Sequence, residues 1–305
     1  MPEQQAEMHN SKAGYIAIVG KPNAGKSTLI NAILGEKLSI VTPKPQTTRK
    51  QVLGIYTDEA NQIVFIDTPG ILQAKYEMQK FMMEYVGSAL DTADAIIFIV
   101  DVKKYRSELD DHSLQFLKSA KQTNKPIIAI LNKVDLYEDV KTVLPIIQYY
   151  HNLNFFDEIV PLSALKQTYI DDLVKTLTKY LPENPFYFDP EDISTLSERF
   201  FVSELIREQL FLSYSEEIPY STEVVISQFR EKAMGKWFIS ADILVERKSQ
   251  KIILIGKSGE KIKHIGEKAR ISIEDHLQRS VYLELFVKVR ENWRNNKNML
   301  KNLGY

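Results

Sequence analysis

Five short apolar runs, separated by segments with helical spacing, constrain the fold of the first 180 residues of this chain. The runs are rich in Val and Ile and lie at residues 15–19, 63–66, 95–100, 126–131 and 159–161. Helical spacing occurs at residues 27–34, 77–90, 109–122, 140–151 and 170–180. Continuous apolar runs of this length are typical of strands buried on both faces of a parallel sheet. The alternation therefore predicts an α/β domain with helices on both faces of a mostly parallel, six-stranded sheet, to which residues 50–56 add one antiparallel strand.

Prolines mark the end of this domain. Pro182, Pro185 and Pro190 stand among acidic and aromatic residues at 181–193, and such a stretch breaks helix continuity. We therefore predict a flexible tail at 1–12, an α/β domain at 13–182, a linker at 183–193 and a second domain at 194–305. The second domain is predicted to be α+β, with helices at 194–213, 260–278 and 292–302 and strands at 222–230, 237–246, 251–255 and 281–289.

The composition excludes several kinds of site and indicates a polyanionic partner. The chain has no cysteine and only scattered histidines, which argues against disulfides, structural zinc and a cysteine nucleophile and favours a cytoplasmic location. The longest apolar run is far shorter than the about 20 residues of a membrane-spanning helix. Residues 230–305 hold 17 Lys and Arg against 9 Asp and Glu, or +8, whereas the whole chain carries −1. A basic end on an acidic body favours binding of nucleic acid.

A loop between the first apolar run and the first helix has the pattern G-x-x-x-x-G-K-S/T. Its glycines allow backbone amides to surround phosphates, and the helix start adds a positive dipole end. Lys26 is expected to reach the β- and γ-phosphates, and the Ser27 hydroxyl to bind Mg²⁺. The loop does not by itself separate ATP from GTP. The predicted phosphate-binding residues are Gly20, Asn23, Ala24, Gly25, Lys26, Ser27 and Thr28.

A second loop, at the end of the run 63–66, reads Asp67-Thr68-Pro69-Gly70. Because the carboxyl ends of parallel strands meet at one edge of a sheet, Asp67 is expected beside the phosphate loop. It can hold Mg²⁺ through the water shell of the ion, while the amide of Gly70 can meet the γ-phosphate.

A third loop, Asn132-Lys133-Val134-Asp135, closes the run 126–131. A buried carboxylate at Asp135 would accept hydrogen bonds from the N1–H and N2–H groups of guanine, and adenine lacks the N2 amine. Asn132 is expected to brace the loops and the Lys133 stem to cover the base. After the next strand, Ser163-Ala164-Leu165 can offer the Ala164 amide to guanine O6, so Ser163 and Ala164 complete the predicted guanine site.

In residues 14–180 these motifs resemble those of translation-factor-class GTPases. The resemblance implies two switch segments, one formed by Gln46, Thr47, Thr48 and Arg49 and the other by Asp67, Thr68, Pro69 and Gly70. In such proteins a threonine of the first segment binds Mg²⁺ and the γ-phosphate; we assign this role to Thr48, with Thr47 as the alternative.

One position departs from Ras-like proteins, which carry a water-orienting glutamine directly after the switch glycine. Here that residue is Ile71, whose side chain cannot orient water. The chain is similar to a subgroup of GTPases with a hydrophobic residue there, some of which use K⁺ held partly by a phosphate-loop asparagine. Asn23 occupies that place, so we expect slow hydrolysis and hypothesise stimulation by K⁺.

The second domain contains a G-x-x-G loop, Gly256-Lys257-Ser258-Gly259, predicted between a strand and a helix. It resembles that of a type II KH domain, whose loop contacts about four nucleotides of single-stranded RNA or DNA. Glycines permit close approach of the sugar-phosphate chain, and lysines supply charge. Ile252, Leu254, Ile262 and Ile265 are predicted to be core residues, with the alternative that some of them wall a base-binding groove. The predicted RNA-binding residues are Gly256, Lys257, Ser258, Gly259, Lys261 and Lys263.

A GTPase domain followed by one KH domain resembles the Era family, and the likeness continues through Pro219-Tyr220-Ser221 and the ending Leu303-Gly304-Tyr305. The resemblance implies a ribosome-assembly GTPase that binds near the 3′ end of small-subunit ribosomal RNA, with GTP or GDP and Mg²⁺ as ligands. It also implies peripheral membrane association. Two alternatives are an RNA-binding module with a weakly hydrolytic nucleotide site and a metabolic kinase, against which Asp135 argues.

Overall fold

The computed structural model describes residues 11–103 and 109–305, which divide into two compact units. Unit 1 contains residues 11–39, 48–75, 79–103 and 109–195. Unit 2 contains Ile40–Thr47, Tyr76–Met78 and Leu196–Tyr305. Two short segments from the first third of the sequence therefore belong to the C-terminal unit.

Unit 1 contains a six-stranded sheet in the order β2-β3-β1-β4-β5-β6. All neighbouring strands are parallel except β2 and β3, which are antiparallel. Strands β4 and β5 are buried along their whole length, as expected for apolar strands covered on both faces. The predicted α/β class and the single antiparallel strand are confirmed. The strands are β1 (Lys12–Gly20), β2 (Val52–Thr57), β3 (Asn61–Asp67), β4 (Ala95–Asp101), β5 (Ile127–Asn132) and β6 (Glu158–Leu162).

The strand ends bring the predicted motifs of unit 1 to one edge of the sheet. Gly20 ends β1, Asp67 ends the adjacent β3 and Asn132 ends β5. The connecting helices begin at this edge, because a parallel strand must be followed by a crossover. They are α1 (Lys26–Leu34), α2 (Glu77–Thr92), α3 (Asp111–Lys121), α4 (Leu144–Asn152) and α5 (Ile170–Leu177).

Unit 2 has a three-stranded sheet in the order β7-β8-β9, with β7 antiparallel and β9 parallel to the central β8. Apolar residues of its two long helices pack with the inward face of β8 in one core. Its helices are α6 (Glu198–Ser213), α7 (Ile218–Ser221), α8 (Lys248–Ile255), α9 (Glu260–Leu277) and α10 (Lys297–Asn302). Its strands are β7 (Glu223–Arg230), β8 (Trp237–Val245) and β9 (Val281–Val289).

The predicted strand at 251–255 is wrong, because these residues form the second half of α8. A run of four apolar residues has too few positions to separate a strand from a buried helical turn. The structure shows a helical face: Leu254 is fully buried, whereas Ile252 is 71% exposed. Ile252 was therefore wrongly placed in the core, while Leu254 and Ile265 are buried and Ile262 packs against the core.

The domain boundaries drawn from the sequence stay a prediction. Residues 1–10 of the predicted tail lie outside the described part of the chain. Residues 183–195 are part of unit 1, where the Gln62 carboxamide oxygen accepts hydrogen bonds from the amides of Tyr187 and Phe188 at 2.8 and 3.0 Å. Among the described residues no helix is both long and apolar enough to cross a bilayer.

Candidate functional site

The loop between β1 and α1 is shaped by the backbone of Gly25. Gly25 has φ +104°, and a Cβ there would lie 2.1 Å from Nδ2 of Asn132. The Asn132 amide donates a hydrogen bond of 2.8 Å to the carbonyl of Ala24. Glycine is therefore required both by the left-handed backbone and by the close approach of the asparagine. The contact fixes the phosphate loop to the end of β5.

Lys26 lies in the first turn of α1 with its ammonium turned back over the loop. The group donates to the carbonyl oxygens of Gly20 at 3.2 Å and Lys21 at 3.0 Å. Burial lowers the pKa of Lys26 to about 8, and the nearby Asp67 carboxylate acts in the opposite direction. A phosphate anion in the loop would favour the charged ammonium.

Three oxygen-bearing side chains predicted to serve Mg²⁺ lie together in unit 1. The Ser27 hydroxyl donates to Oδ2 of Asp67 at 3.0 Å, and the hydroxyls of Ser27 and Thr48 are 2.9 Å apart. Burial raises the pKa of the Asp67 carboxyl, and the Lys26 ammonium beside it lowers the pKa.

This donor set fits a hard cation. Oδ1 of Asp67 is buried and has no hydrogen-bond partner among the described residues. A buried carboxylate oxygen without a donor is costly, and a water molecule on a cation would supply that donor. Hydroxyl and carboxylate oxygens are also the ligands that Mg²⁺ prefers. Ser27, Thr48 and Asp67 are thus suited to hold Mg²⁺, directly or through its water shell.

The two candidate threonines of the first switch segment have different surroundings. The Thr47 hydroxyl lies 2.7 Å from that of Thr42 and donates to the carbonyl of Lys44 at 2.8 Å, within unit 2. Thr48 instead has its hydroxyl beside Ser27. Gln46, directly before Thr47, has φ +61° and turns the chain there. The geometry therefore favours Thr48 as the Mg²⁺ ligand.

The second switch segment lies directly against the phosphate loop. A Cβ on Gly70 would lie 2.7 Å from the backbone nitrogen of Pro22, so only glycine fits there. The amide of Ile71 donates to the carbonyl of Gly20 at 3.0 Å, and the Ile71 side chain packs against buried residues of unit 1. Thr68 anchors the same segment by donating to the carbonyl of Ile18 at 2.8 Å.

At the base-reading end, Asn132 and Lys133 hold neighbouring loops. Oδ1 of Asn132 accepts a hydrogen bond of 3.0 Å from the Ala164 amide, so this amide is engaged by Asn132 in the structure. The Lys133 ammonium donates to the carbonyl of Asn23 at 2.9 Å. Ser163 is buried and accepts from the Lys166 amide at 3.1 Å.

Asp135 lies at the surface of unit 1. It is part of a 3₁₀ turn at Val134–Leu136 and is exposed in the chain without nucleotide. Its role in reading guanine stays a prediction. Its position after Asn132 and Lys133 is as expected.

Two residues of this site were missed at the level of sequence. The Ser39 hydroxyl donates to Oδ2 of Asp67 at 3.0 Å, and the carboxylate of Asp101 pairs with the Lys133 ammonium at 2.8 Å. Asp101 ends strand β4 in the same way as Asp67 ends β3, which is a signal that could have identified it. Ser39 lies in an irregular loop without a motif.

In unit 2 the G-x-x-G loop connects two helices, α8 and α9. Gly256, Ser258 and Gly259 have φ values of +73°, +51° and +81°. A Cβ on Gly259 would meet no heavy atom within 4 Å, whereas one on Gly256 would lie 2.7 Å from the Lys261 side chain. The loop is thus open at Gly259, and the side chains of Lys257, Lys261 and Lys263 are exposed around it.

A groove of about 290 Å³ runs beside this loop, between α9 and β9. Apolar and charged side chains both line it, a combination that suits unpaired bases together with their phosphates. Of the predicted RNA-binding residues only Lys263 lines it. Its lining residues are Ile262, Lys263, Gly266, Glu267, Arg270, Leu283 and Leu285.

Comparison with known proteins agrees with both parts of the chain. Residues 15–133 match the family described as 50S ribosome-binding GTPase, and residues 217–294 match the KH domain family. The chain is 43% identical over 295 residues to the GTPase Era of Geobacter metallireducens, covering 96% of this chain and 98% of the relative. It is 41% identical over 297 residues to the chloroplastic GTPase ERA-like of Oryza sativa subsp. japonica, covering 97% and 70%.

Two solved structures are similar over almost the full length. One is a single-substitution variant of Aquifex aeolicus Era bound to GDP and AlF₄⁻, with a TM-score of 0.92 and 40% identity, covering 96% of this chain and 99% of the other. The second is Era in complex with MgGDPNP and nucleotides 1506–1542 of 16S ribosomal RNA, also with a TM-score of 0.92 and 40% identity, covering 97% and 99%. With these identities, this coverage and both motifs in place, the chain belongs to the Era family of GTPases with a C-terminal KH domain.

Proposed function

We propose that this protein is a GTP-dependent switch that binds the 3′ region of small-subunit ribosomal RNA through unit 2 and acts in assembly of the small ribosomal subunit. The observation that carries the RNA-binding part is the open, lysine-flanked G-x-x-G loop beside a groove lined by apolar and charged side chains. The similar Era structure with MgGDPNP and nucleotides of 16S ribosomal RNA supports the same ligand pair.

Hydrolysis in this site rests on positioning and electrostatics. In this proposal Lys26 and the amide of Gly70 contact the γ-phosphate, and Ser27, Thr48 and Asp67 hold Mg²⁺. Mg²⁺ held by these residues would neutralise the negative charge that develops on the phosphates during hydrolysis. Because Ile71 offers no group that could orient the attacking water, intrinsic turnover is slow. A slow intrinsic rate of GTP hydrolysis suits a switch whose hydrolysis rate is raised by a binding partner.

Selection of guanine is assigned to Asp135, supported by the loop that Asn132 and Lys133 hold. The carboxylate accepts from guanine N1–H and N2–H, and a bound base would itself cover this exposed group. ATP offers no matching donor pair. A kinase acting on a small metabolite is disfavoured for this reason; displacement of bound GTP by ATP at equal concentration would restore that alternative.

Replacement of Thr48 by Val keeps the side-chain shape and removes the hydroxyl. We expect kcat for GTP hydrolysis to fall by about 10²-fold and the Mg²⁺ concentration for half-maximal activity to rise. Thr47→Val is the matched control and should stay close to wild type, because that hydroxyl contacts Thr42 and Lys44. A larger loss in Thr47→Val than in Thr48→Val would reverse the assignment.

Stimulation by K⁺ is the second proposal about hydrolysis. Turnover is expected to be faster in K⁺ than in Na⁺ buffer at equal ionic strength, and Asn23→Ala should abolish the difference. Asn154→Ala controls for backbone strain, because Asn23 and Asn154 both have positive φ, at +64° and +54°. Equal turnover of the wild type in the two salts would defeat the proposal.

The RNA-binding role is tested at Gly259 with a closely matched control. Gly259→Asp places a negative side chain where a phosphate should approach, without a steric clash inside the protein. Gly235→Asp makes the same change in another open turn of unit 2, where φ is +86° and a Cβ meets nothing within 4 Å. We expect Gly259→Asp to weaken binding of a 16S 3′-end RNA by about tenfold or more.

The control should bind this RNA within about twofold of wild type, and both variants should bind GDP normally. Equal RNA affinities for Gly259→Asp and wild type would overturn the assignment of the loop.

We also infer a cytoplasmic monomer that makes peripheral contact with the cytoplasmic face of the membrane. The absence of cysteine supports a reducing compartment. Sedimentation with and without anionic vesicles tests these points. We expect a monomer mass and partial recovery with vesicles; a dimer mass, or no protein with the vesicles, would contradict the respective statement.

A further inference from the structure

Residues Ile40–Thr47, which include the first two residues of the first switch segment, fold as part of unit 2 and contact helix α6. The Lys44 ammonium donates to the carbonyl oxygens of Phe211 and Tyr214 at the C-terminal end of this helix. The Val41 amide donates to the carboxylate of Glu208 at 3.2 Å. A cation at the last carbonyls of a helix is also favoured by the helix dipole.

Arg207 contacts Thr47, the residue that directly precedes Thr48 in the chain. Its side chain is only 1% exposed, and its Nη2 donates to the carbonyl of Thr47 at 2.5 Å. Its Nε donates to the carboxylate of Glu204 at 2.7 Å, and its guanidinium lies over the Phe211 ring at 5.3 Å. The guanidinium is therefore held by side chains of α6 and directs one donor to the switch backbone.

Arg207 and Glu204 form a largely buried charge pair. A buried charge pair is often no more stable than apolar residues of the same volume, and we infer that this one is used to specify a structure. Here the structure specified is the position of a main-chain carbonyl, and that carbonyl belongs to the peptide that joins Thr47 to Thr48. The peptide unit is planar, so a held Thr47 carbonyl restricts where the amide and Cα of Thr48 can lie.

We propose that Arg207 is a positioning residue for GTP hydrolysis: by holding the Thr47 carbonyl, it keeps the Thr48 hydroxyl beside Ser27, where the threonine serves Mg²⁺. The inference rests on the proposed role of Thr48 as a Mg²⁺ ligand. It gives helix α6 a part in assembling the hydrolytic site. In this proposal Arg207 acts through the backbone of the switch, by its hydrogen bond to the Thr47 carbonyl.

The test compares the full-length wild type with Arg207→Met, Arg207→Lys and Arg199→Met. Arg199→Met is the matched control, because Arg199 lies on the same helix, is exposed, and contacts the Phe229 ring at 5.7 Å. The quantities measured are kcat, KM for GTP, the Mg²⁺ concentration for half-maximal activity, and the affinity for GDP. Unfolding by circular dichroism reports the integrity of each variant.

For Arg207→Met we expect kcat to fall by about 10- to 100-fold, the size of effect that a small misplacement of a reacting group produces. The half-maximal Mg²⁺ concentration should rise, while the affinity for GDP, which has no γ-phosphate for Thr48 to meet, stays unchanged. Arg207→Lys retains one donor and should recover part of kcat, and Arg199→Met should match wild type. Unchanged kcat and Mg²⁺ dependence in a folded Arg207→Met, or equal weakening of GDP and GTP binding, would overturn the inference.

Two further variants keep the test decisive. If Arg207→Met does not fold, Lys44→Met is the alternative variant. Lys44 is partly exposed and also holds the segment Ile40–Thr47 on helix α6, so its loss should raise the half-maximal Mg²⁺ concentration. Wild-type Mg²⁺ dependence in Lys44→Met would then overturn the inference.

Thr48→Val separates the proposed role of Thr48 as a Mg²⁺ ligand from the proposed role of Arg207. Wild-type Mg²⁺ dependence in Thr48→Val would refute the proposed ligand, whereas a loss there together with normal Arg207→Met would refute only the role of Arg207.

Discussion

The side-chain amide of Asn132 is the contact on which the nucleotide site of unit 1 depends. Its nitrogen binds the carbonyl of Ala24 in the phosphate loop, and its oxygen receives the amide of Ala164. One side chain at the end of β5 thus fixes the loop for phosphates against the loop for the base. The approach is so close that Gly25 can carry no side chain. Motifs that lie 108 positions apart in sequence are therefore held as one site.

A second constraint is that each switch segment is joined in sequence to residues of unit 2. The first segment begins within Ile40–Thr47, and Tyr76–Met78 follow the second segment. Within the first segment, the carbonyl of Thr47 accepts a hydrogen bond from Arg207. After the second segment, the Tyr76 ring lies under the guanidinium of Arg294 at 4.9 Å, and Glu77 pairs with Lys297 at 3.6 Å. The proposed switch segments are thus covalently continuous with segments packed in unit 2, and we propose this continuity as the route by which GTP and RNA influence each other.

The sequence was sufficient for features encoded locally and insufficient for those made by distant contacts. Buried strands and their terminal motifs could be predicted, because apolar runs and loop glycines carry their own signal. Helix α8 was mistaken for a strand, since four apolar residues do not distinguish the two. The contact of Arg207 with Thr47 spans 160 positions and leaves no trace in spacing or composition. Asp135 was placed correctly in order, but its exposure depends on how a surface turn packs.

We propose that GTP and ribosomal RNA influence each other's binding to this chain. The most direct measurement is the affinity for an RNA of nucleotides 1506–1542 of 16S ribosomal RNA, with saturating GDP and with a non-hydrolysable GTP analogue. The reverse measurement is the affinity for each nucleotide with and without that RNA. We expect tighter RNA binding with the analogue than with GDP. By linkage, RNA should raise the affinity for the analogue relative to GDP by the same factor. Identical RNA affinities in the two nucleotide states would contradict it.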